Sequence, residues 1–103
     1  MLLPHVVRFN AETEETRRSY AELASAPEIA CVSDGLDQAM DALLAQLEAL
    51  LELAGMPASL GDCGVRKEDL PMLAAEASKQ WTGHFNPRSI SEKEFLALYD
   101  AAY

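Results

Sequence analysis

The sequence has few of the residues on which nucleic-acid binding, disulfide scaffolds and membrane contact depend. Its 103 residues include only 8 Lys and Arg against 17 Asp and Glu, for a formal net charge of -9. A basic face is needed both to displace counterions from nucleic acid and to bind an anionic membrane, so neither is expected as a partner. Two cysteines are too few for a disulfide framework, and a reducing cytoplasm is the expected location.

Long apolar runs are also missing. Half of the residues are hydrophobic, yet the mean hydropathy is only -0.06 because charged residues interrupt the apolar ones. No stretch approaches the ~20 apolar residues of a membrane-spanning helix, and the first ten residues lack a signal-peptide core. The chain contains no internal repeat and no sustained alternation of apolar and polar residues that would predict a sheet.

Alanine and leucine are the most frequent residues of the chain, and their spacing predicts helices. The predicted helices cover Leu2–Phe9, Glu12–Ala26, Leu36–Ala54, Lys67–Gln80 and a last stretch that begins after Ser91. The clearest is Leu36–Ala54, whose apolar residues repeat every 3.6 positions and which Gly55 and Pro57 end. Asn10 is expected to break the first helix, and Pro71 is tolerated only in the first turn of the fourth. We therefore expect an all-α fold of about five helices around Leu36–Ala54.

The start of the last helix carries two recognised signals. Ser91 and Glu94 have the spacing of a capping box, in which each side chain bonds the backbone N–H of the other residue. Ile90 and Phe95 occupy the two positions of a hydrophobic staple. Together they predict a helix that begins directly after Ser91.

Metal-ligand and nucleotide-binding motifs are absent. The only soft ligand candidates are His5, His84, Cys31 and Cys63, and no pair has a spacing that presents two ligands from one element. The sequence contains neither a G-x-G-x-x-G motif nor a Walker A motif. His5 is expected to be a packed histidine, and the cysteines to be core residues or loop thiols. The sequence thus predicts no metal, cofactor or catalytic site within this chain.

One segment, Trp81–Arg88, is dense in functional side chains. It places two aromatics, a histidine and an arginine between two predicted helices. In one interpretation it is a corner anchored by Trp81 and Phe85, with a turn at Asn86 and Pro87. In the other it is the wall of a ligand pocket, because such pockets combine apolar rings with a few polar groups. The residues alone leave both interpretations open.

Three stretches together resemble a known family. Leu2–Asn10 is similar to the LLPHVMRFN-type segment of the iron-containing (group III) alcohol dehydrogenases, a family that includes lactaldehyde and maleylacetate reductases. Leu60–Val65 with Glu68–Pro71 resembles that family's L-x-x-x-G-V-x-x-E-D-L-P segment, and Asn86–Tyr99 resembles its C-terminal NPR segment. The order and spacing of the three also match, so the resemblance covers essentially the whole chain.

The resemblance implies the C-terminal helical part of a dehydroquinate synthase-like, two-domain oxidoreductase. Such enzymes bind NAD(P) on an N-terminal α/β domain and hold a divalent metal, iron or zinc, with one aspartate and three histidines. The metal polarises the alcohol or carbonyl oxygen while a hydride moves to or from the nicotinamide. In the family, the nucleotide domain and the metal ligands precede the segment that Leu2–Asn10 resembles, and His5 matches a histidine that is not a ligand.

We therefore expect residues 1–103 to form a single helical domain, a C-terminal fragment of a larger enzyme, with no catalytic, cofactor or metal residue and no activity alone. The resemblance also implies that part of the Trp81–Arg88 segment approaches the substrate pocket. The expected wall residues are Trp81, Thr82, His84 and Phe85. Asn86 and Arg88 are expected to fix the corner rather than contact substrate.

Missing upstream helices would leave apolar faces uncovered on Leu2–Phe9 and on Leu36–Ala54. Such faces usually bind a partner. The expected partner is the missing N-terminal half or further copies of the chain in a homo-oligomer. The alternative function is a stand-alone helical interaction module that has lost the chemistry.

Overall fold

The computed structural model describes residues 1–26 and 35–103, and the prediction of an all-α fold of five helices is confirmed there. The helices are α1 (Leu2–Asn10), α2 (Glu14–Ser25), α3 (Leu36–Leu53), α4 (Leu70–Ser78) and α5 (Glu92–Ala101), with 3₁₀ turns at Lys67–Asp69 and Trp81–Phe85. Neither described range contains a strand. No helix in these ranges is long and apolar enough to cross a membrane. Cys31 lies outside the described residues.

The helix ends follow the local signals closely, with three corrections. The capping box of Ser91 and Glu94 is present, and Ser91 is the residue before α5. The fourth predicted helix is an α-helix only from Leu70, because Pro71 must lie in its first turn; Lys67–Asp69 forms a 3₁₀ turn instead. Asn10 does not break α1 but is its last residue. Trp81–Arg88, which the sequence places between two helices without predicting a helix of its own, begins with the 3₁₀ turn Trp81–Phe85.

Gly55 ends α3 by the mechanism that the sequence predicts. Its φ of 65° lies in the left-handed region that glycine adopts without a steric penalty. The N–H of Gly55 donates to the carbonyl of Glu52 at 2.9 Å, and the N–H of Met56 donates to that of Leu51 at 3.0 Å. This is the Schellman pattern, which satisfies the last carbonyl groups of the helix.

Among the described residues, two apolar clusters hold the helices together. The first lies between α1, α2 and α3 and consists of Val7, Ala11, Ala24, Met40, Leu43 and Leu44. The second is centred on Leu60, Leu70 and Ala102 and joins α4, α5 and the loop before them. α1 belongs to both, because Val7 and Ala11 lie in the first cluster while Met1 and Leu2 pack on the second. α1 is therefore the element that connects the two helix pairs.

The fold is flat and leaves apolar side chains exposed. Its principal extents are 43 × 30 × 18 Å, and 18 Å holds no more than two layers of helices. The apolar stripe of α3 is fully buried only in its first half, since Met40, Leu43 and Leu44 are buried whereas Leu50 is 50% exposed. Leu3 and Met56 are also at least half exposed.

Candidate functional site

A cavity of about 550 Å³ lies between α1, α4, the Trp81–Phe85 turn and α5. Its lining is mostly apolar, with a few polar side chains, and its size is within the range of small-molecule sites. The apolar part of the lining includes Leu2, Val6, Ile90, Phe95 and Leu98. The polar part includes Asn10, Tyr20, Gln80, Thr82 and Asn86. This cavity is the candidate site.

The structure brings two of the four expected wall residues to the cavity. Thr82 and Phe85 line it, whereas Trp81 and His84 do not and are exposed. The division follows from the 3₁₀ geometry, in which residues three apart lie on the same face of the turn. Thr82 and Phe85 therefore share the cavity face, and Trp81 and His84 share another.

The interpretation in which Trp81 and Phe85 anchor the corner is wrong. Trp81 is 69% exposed and Phe85 is 75% exposed. Their rings meet edge to face at 5.6 Å, mostly in contact with solvent rather than with the core. Burial of these rings is too small to fix the segment, so other side chains must hold it.

Asn86 is one of the residues that hold the corner. Its side-chain amide pairs reciprocally with that of Asn10: Asn10 Nδ2 donates to Asn86 Oδ1 at 2.9 Å, and Asn86 Nδ2 donates to Asn10 Oδ1 at 2.7 Å. Asn86 Nδ2 also donates to the carbonyl of Arg88 at 2.6 Å, and Asn10 Nδ2 to the hydroxyl of Tyr20 at 3.2 Å. Asn10 is only 2% exposed, so these bonds replace its contacts with water.

Arg88 is the other. Its Nη1 donates to the carbonyl oxygen of Phe9 at 2.7 Å, and the same atom lies 2.7 Å from a carboxylate oxygen of Glu12. Its guanidinium lies over the Phe9 ring, 3.9 Å from the centroid. Asn86 and Arg88 thus hold the corner, as expected; that they do not contact substrate stays a prediction, and Asn86 also lines the cavity. Sequence reasoning missed Asn10, because nothing in the sequence indicates that it pairs with a residue 76 positions away.

The remaining ligand candidates do not form a centre. His5 is partly buried, which lowers the pKa of its imidazole, and the positive charge of Arg8 lowers it further. Cys63 is an exposed loop thiol whose Sγ lies 3.5 Å from the Sδ of Met1. Within the described ranges, no three His, Cys, Asp or Glu side chains are grouped so that they could hold a metal. The described residues alone therefore do not fit a metal centre.

Comparison with known proteins identifies the family. The profile of the "Fe-containing alcohol dehydrogenase family, C-terminal" matches residues 1–103. The chain belongs to this family. Lactaldehyde reductase of Escherichia coli K12 is 35% identical over 103 residues, and 1,3-propanediol dehydrogenase of Citrobacter freundii is 33% identical over 106 residues. Both comparisons cover 100% of this chain but only 26% of the relative.

The fold of a solved iron-containing alcohol dehydrogenase relative agrees. A crystal structure of 1,3-propanediol oxidoreductase superimposes with a TM-score of 0.86 and 29% identity, over 99% of this chain and 26% of that one. The helical arrangement is thus that of the C-terminal region of the family fold. The chain spans about a quarter of the length of these relatives.

Proposed function

We propose that this chain is the C-terminal helical portion of an NAD(P)-dependent, iron-containing alcohol dehydrogenase-like oxidoreductase and is inactive alone. The observation that carries the proposal is that the family's C-terminal profile matches all 103 residues. The nucleotide cofactor and the divalent metal, iron or zinc, would be held by polypeptide outside this chain. Because the described residues do not fit a metal centre, no step of metal chemistry is assigned to them.

Within such an enzyme, the Trp81–Phe85 turn would contribute to the wall of the substrate pocket. Thr82 and Phe85 support this role because they already line the 550 Å³ cavity. The Thr82 hydroxyl would give the wall a group that can bond an alcohol or carbonyl oxygen. Trp81 and His84 lie on the other face of the turn. They would line the pocket only if the polypeptide outside this chain extended the pocket around that face.

The proposed partner is the N-terminal half that carries the nucleotide and metal sites. The chain exposes 6672 Å² of surface. A folded monomer of its mass exposes about 5,700 Å². The excess exceeds the ~800 Å² that one partner buries in a stable interface. We also propose a cytoplasmic location, which suits the free, exposed thiol of Cys63.

The isolated chain tests the claim of inactivity. We expect the purified protein to contain no stoichiometric iron or zinc, to bind neither NAD(H) nor NADP(H) at micromolar concentration, and to oxidise no short-chain alcohol. Metal analysis and a fluorescence titration with the reduced cofactors measure this directly. Alcohol oxidation by the chain alone would refute the proposal.

The second candidate function is a stand-alone interaction module that assembles with copies of itself. The exposed apolar end of α3, where Leu50, Leu53 and Met56 are each at least half exposed, favours it. Sedimentation velocity distinguishes the two functions. Assembly that increases with concentration and that Leu53→Ser weakens supports the module, while a monomer at high concentration argues against it.

A further inference from the structure

Asn10 and Asn86 are the only two asparagines in the chain, and they pair with each other. Asn10 is the last residue of α1, and Asn86 directly follows the Trp81–Phe85 turn. Both side chains line the cavity, as do Thr82 and Phe85 of the turn. We propose that Asn10 and Asn86 are positioning residues that hold this wall of the cavity at a fixed distance from α1. The relevance of this inference to substrate binding rests on the proposed function.

Apart from Arg88, few contacts hold the turn on the α1 side. Besides the bonds within the 3₁₀ turn, its backbone is closed by bonds from Gly83 N to Gln80 O at 3.1 Å and from Asn86 N to Gly83 O at 3.2 Å. On the α5 side, a Cβ built on Gly83 would lie 3.7 Å from the Phe95 ring, so the backbone packs closely there. Because Trp81 and Phe85 are exposed, the side chains that tie this segment to α1 are Asn86, directly after the turn, and Arg88, two residues further on.

The chemistry of the pair explains why both positions are asparagine. Each amide donates one proton to the other and accepts one in return. The second proton of Asn86 goes to the Arg88 carbonyl, and that of Asn10 goes to the Tyr20 hydroxyl. A carboxylate at either position could only accept, so two oxygens would face each other beside the buried side chain of Asn10.

The wall residues and the asparagine pair line the same cavity. A displacement of the pair therefore changes the shape of the cavity at that wall. Asn10 and Tyr20 contribute the α1–α2 part of the lining, and Thr82 and Phe85 contribute the part from the turn. Loss of the amide pair would release the turn while leaving the two apolar clusters in place, because neither asparagine belongs to them. The expected effect is local loosening of the wall rather than unfolding.

The substitution Asn86→Asp tests the inference, with hydrogen exchange as the readout. At neutral pH we expect the amides of residues 80–88 to exchange about tenfold faster than in the wild-type chain, with exchange in α2 and α3 unchanged. On acidification the carboxyl introduced at position 86 becomes protonated and can donate to Asn10 Oδ1. The difference from the wild-type chain at the same pH should then shrink, leaving only the effect of the lost bond to the Arg88 carbonyl.

Ser78→Ala is the matched control, because it removes the bond from Ser78 Oγ to Ala75 O (2.8 Å) close to the turn without touching the pair. It should leave exchange in residues 80–88 unchanged. Unchanged exchange in Asn86→Asp, an equal increase in α2 and α3, or no recovery in acid would overturn the inference.

If Asn86→Asp does not fold, the wild-type chain supplies the test. The side-chain amide protons of Asn10 and Asn86 should exchange at least about tenfold more slowly than those of Gln46, which is exposed. Equal rates would overturn the inference. None of these measurements depends on catalysis, whereas failure of the proposed function would appear as alcohol oxidation by the isolated chain.

Discussion

At the scale of single residues, Arg88 contributes more to the fold than its partial exposure indicates. Its side chain is 28% exposed, yet it contacts the Phe9 carbonyl, the Phe9 ring and the Glu12 carboxylate together. A planar guanidinium can stack on a ring and donate several hydrogen bonds at once, which a lysine ammonium cannot. The ion pair with Glu12 alone is expected to add little, because that carboxylate is exposed.

Arg88→Lys is therefore expected to lower the free energy of unfolding by about 1–2 kcal/mol, through loss of the stacking and of a hydrogen bond. Urea denaturation followed by circular dichroism measures the change. Arg18→Lys is the matched control, since Arg18 is 65% exposed and pairs with Glu14, one turn away on the same helix and 71% exposed. It should shift stability by less than ~0.5 kcal/mol. Equal effects of the two substitutions would contradict the role given to Arg88.

The cavity wall shows what sequence could and could not predict at this scale. The sequence singled out the segment and assigned Asn86 and Arg88 to the corner, because turn chemistry and a family motif are local signals. It could not separate Thr82 from Trp81, because that division depends on the 3₁₀ turn, for which there was no periodic signal. Nor could it pair Asn86 with Asn10, since their contact requires α1 to dock beside the turn.

At the scale of elements, α3 shows that sequence periodicity predicts the position of a helix, whereas its burial depends on how neighbouring helices pack. The stripe of α3 and its stop at Gly55 were predicted, because spacing and a left-handed glycine are properties of the local chain. Burial along the stripe also depends on the length of the neighbouring helix. α2 has 12 residues against the 18 of α3, so it is about 9 Å too short to cover the end of α3.

Leu43, on the buried part of the stripe, and Leu53, which lies off the stripe, compare the two faces of one helix. Leu43 is 6% exposed and lies in the first apolar cluster, whereas Leu53 is 85% exposed. Leu43→Ala should cost about 2–5 kcal/mol of unfolding free energy, through lost burial and the cavity that remains. Leu53→Ala should change it by less than ~0.5 kcal/mol. Thermal and urea denaturation measure both, and a cost at Leu53 similar to that at Leu43 would show that the end of α3 is covered in solution.

At the scale of the whole molecule, the fold is more extended than a compact domain of its length. Its radius of gyration is 14.7 Å. A compact chain of this length has about 13 Å. Two small apolar clusters, joined mainly through α1, replace the single core that a self-sufficient domain builds. The chain matches about a quarter of the length of each relative. Its exposed apolar residues therefore lie on a helical region that makes up only part of the fold of those relatives.

The most direct test of the account is a chimera in which these 103 residues replace the corresponding last quarter of Escherichia coli lactaldehyde reductase. We expect the chimera to reduce lactaldehyde with NAD(P)H as the electron donor. The same enzyme truncated without replacement should be inactive. A chimera that folds and binds the nucleotide, yet reduces lactaldehyde no faster than the truncated enzyme, would contradict the proposal that this chain is the C-terminal portion of such an oxidoreductase.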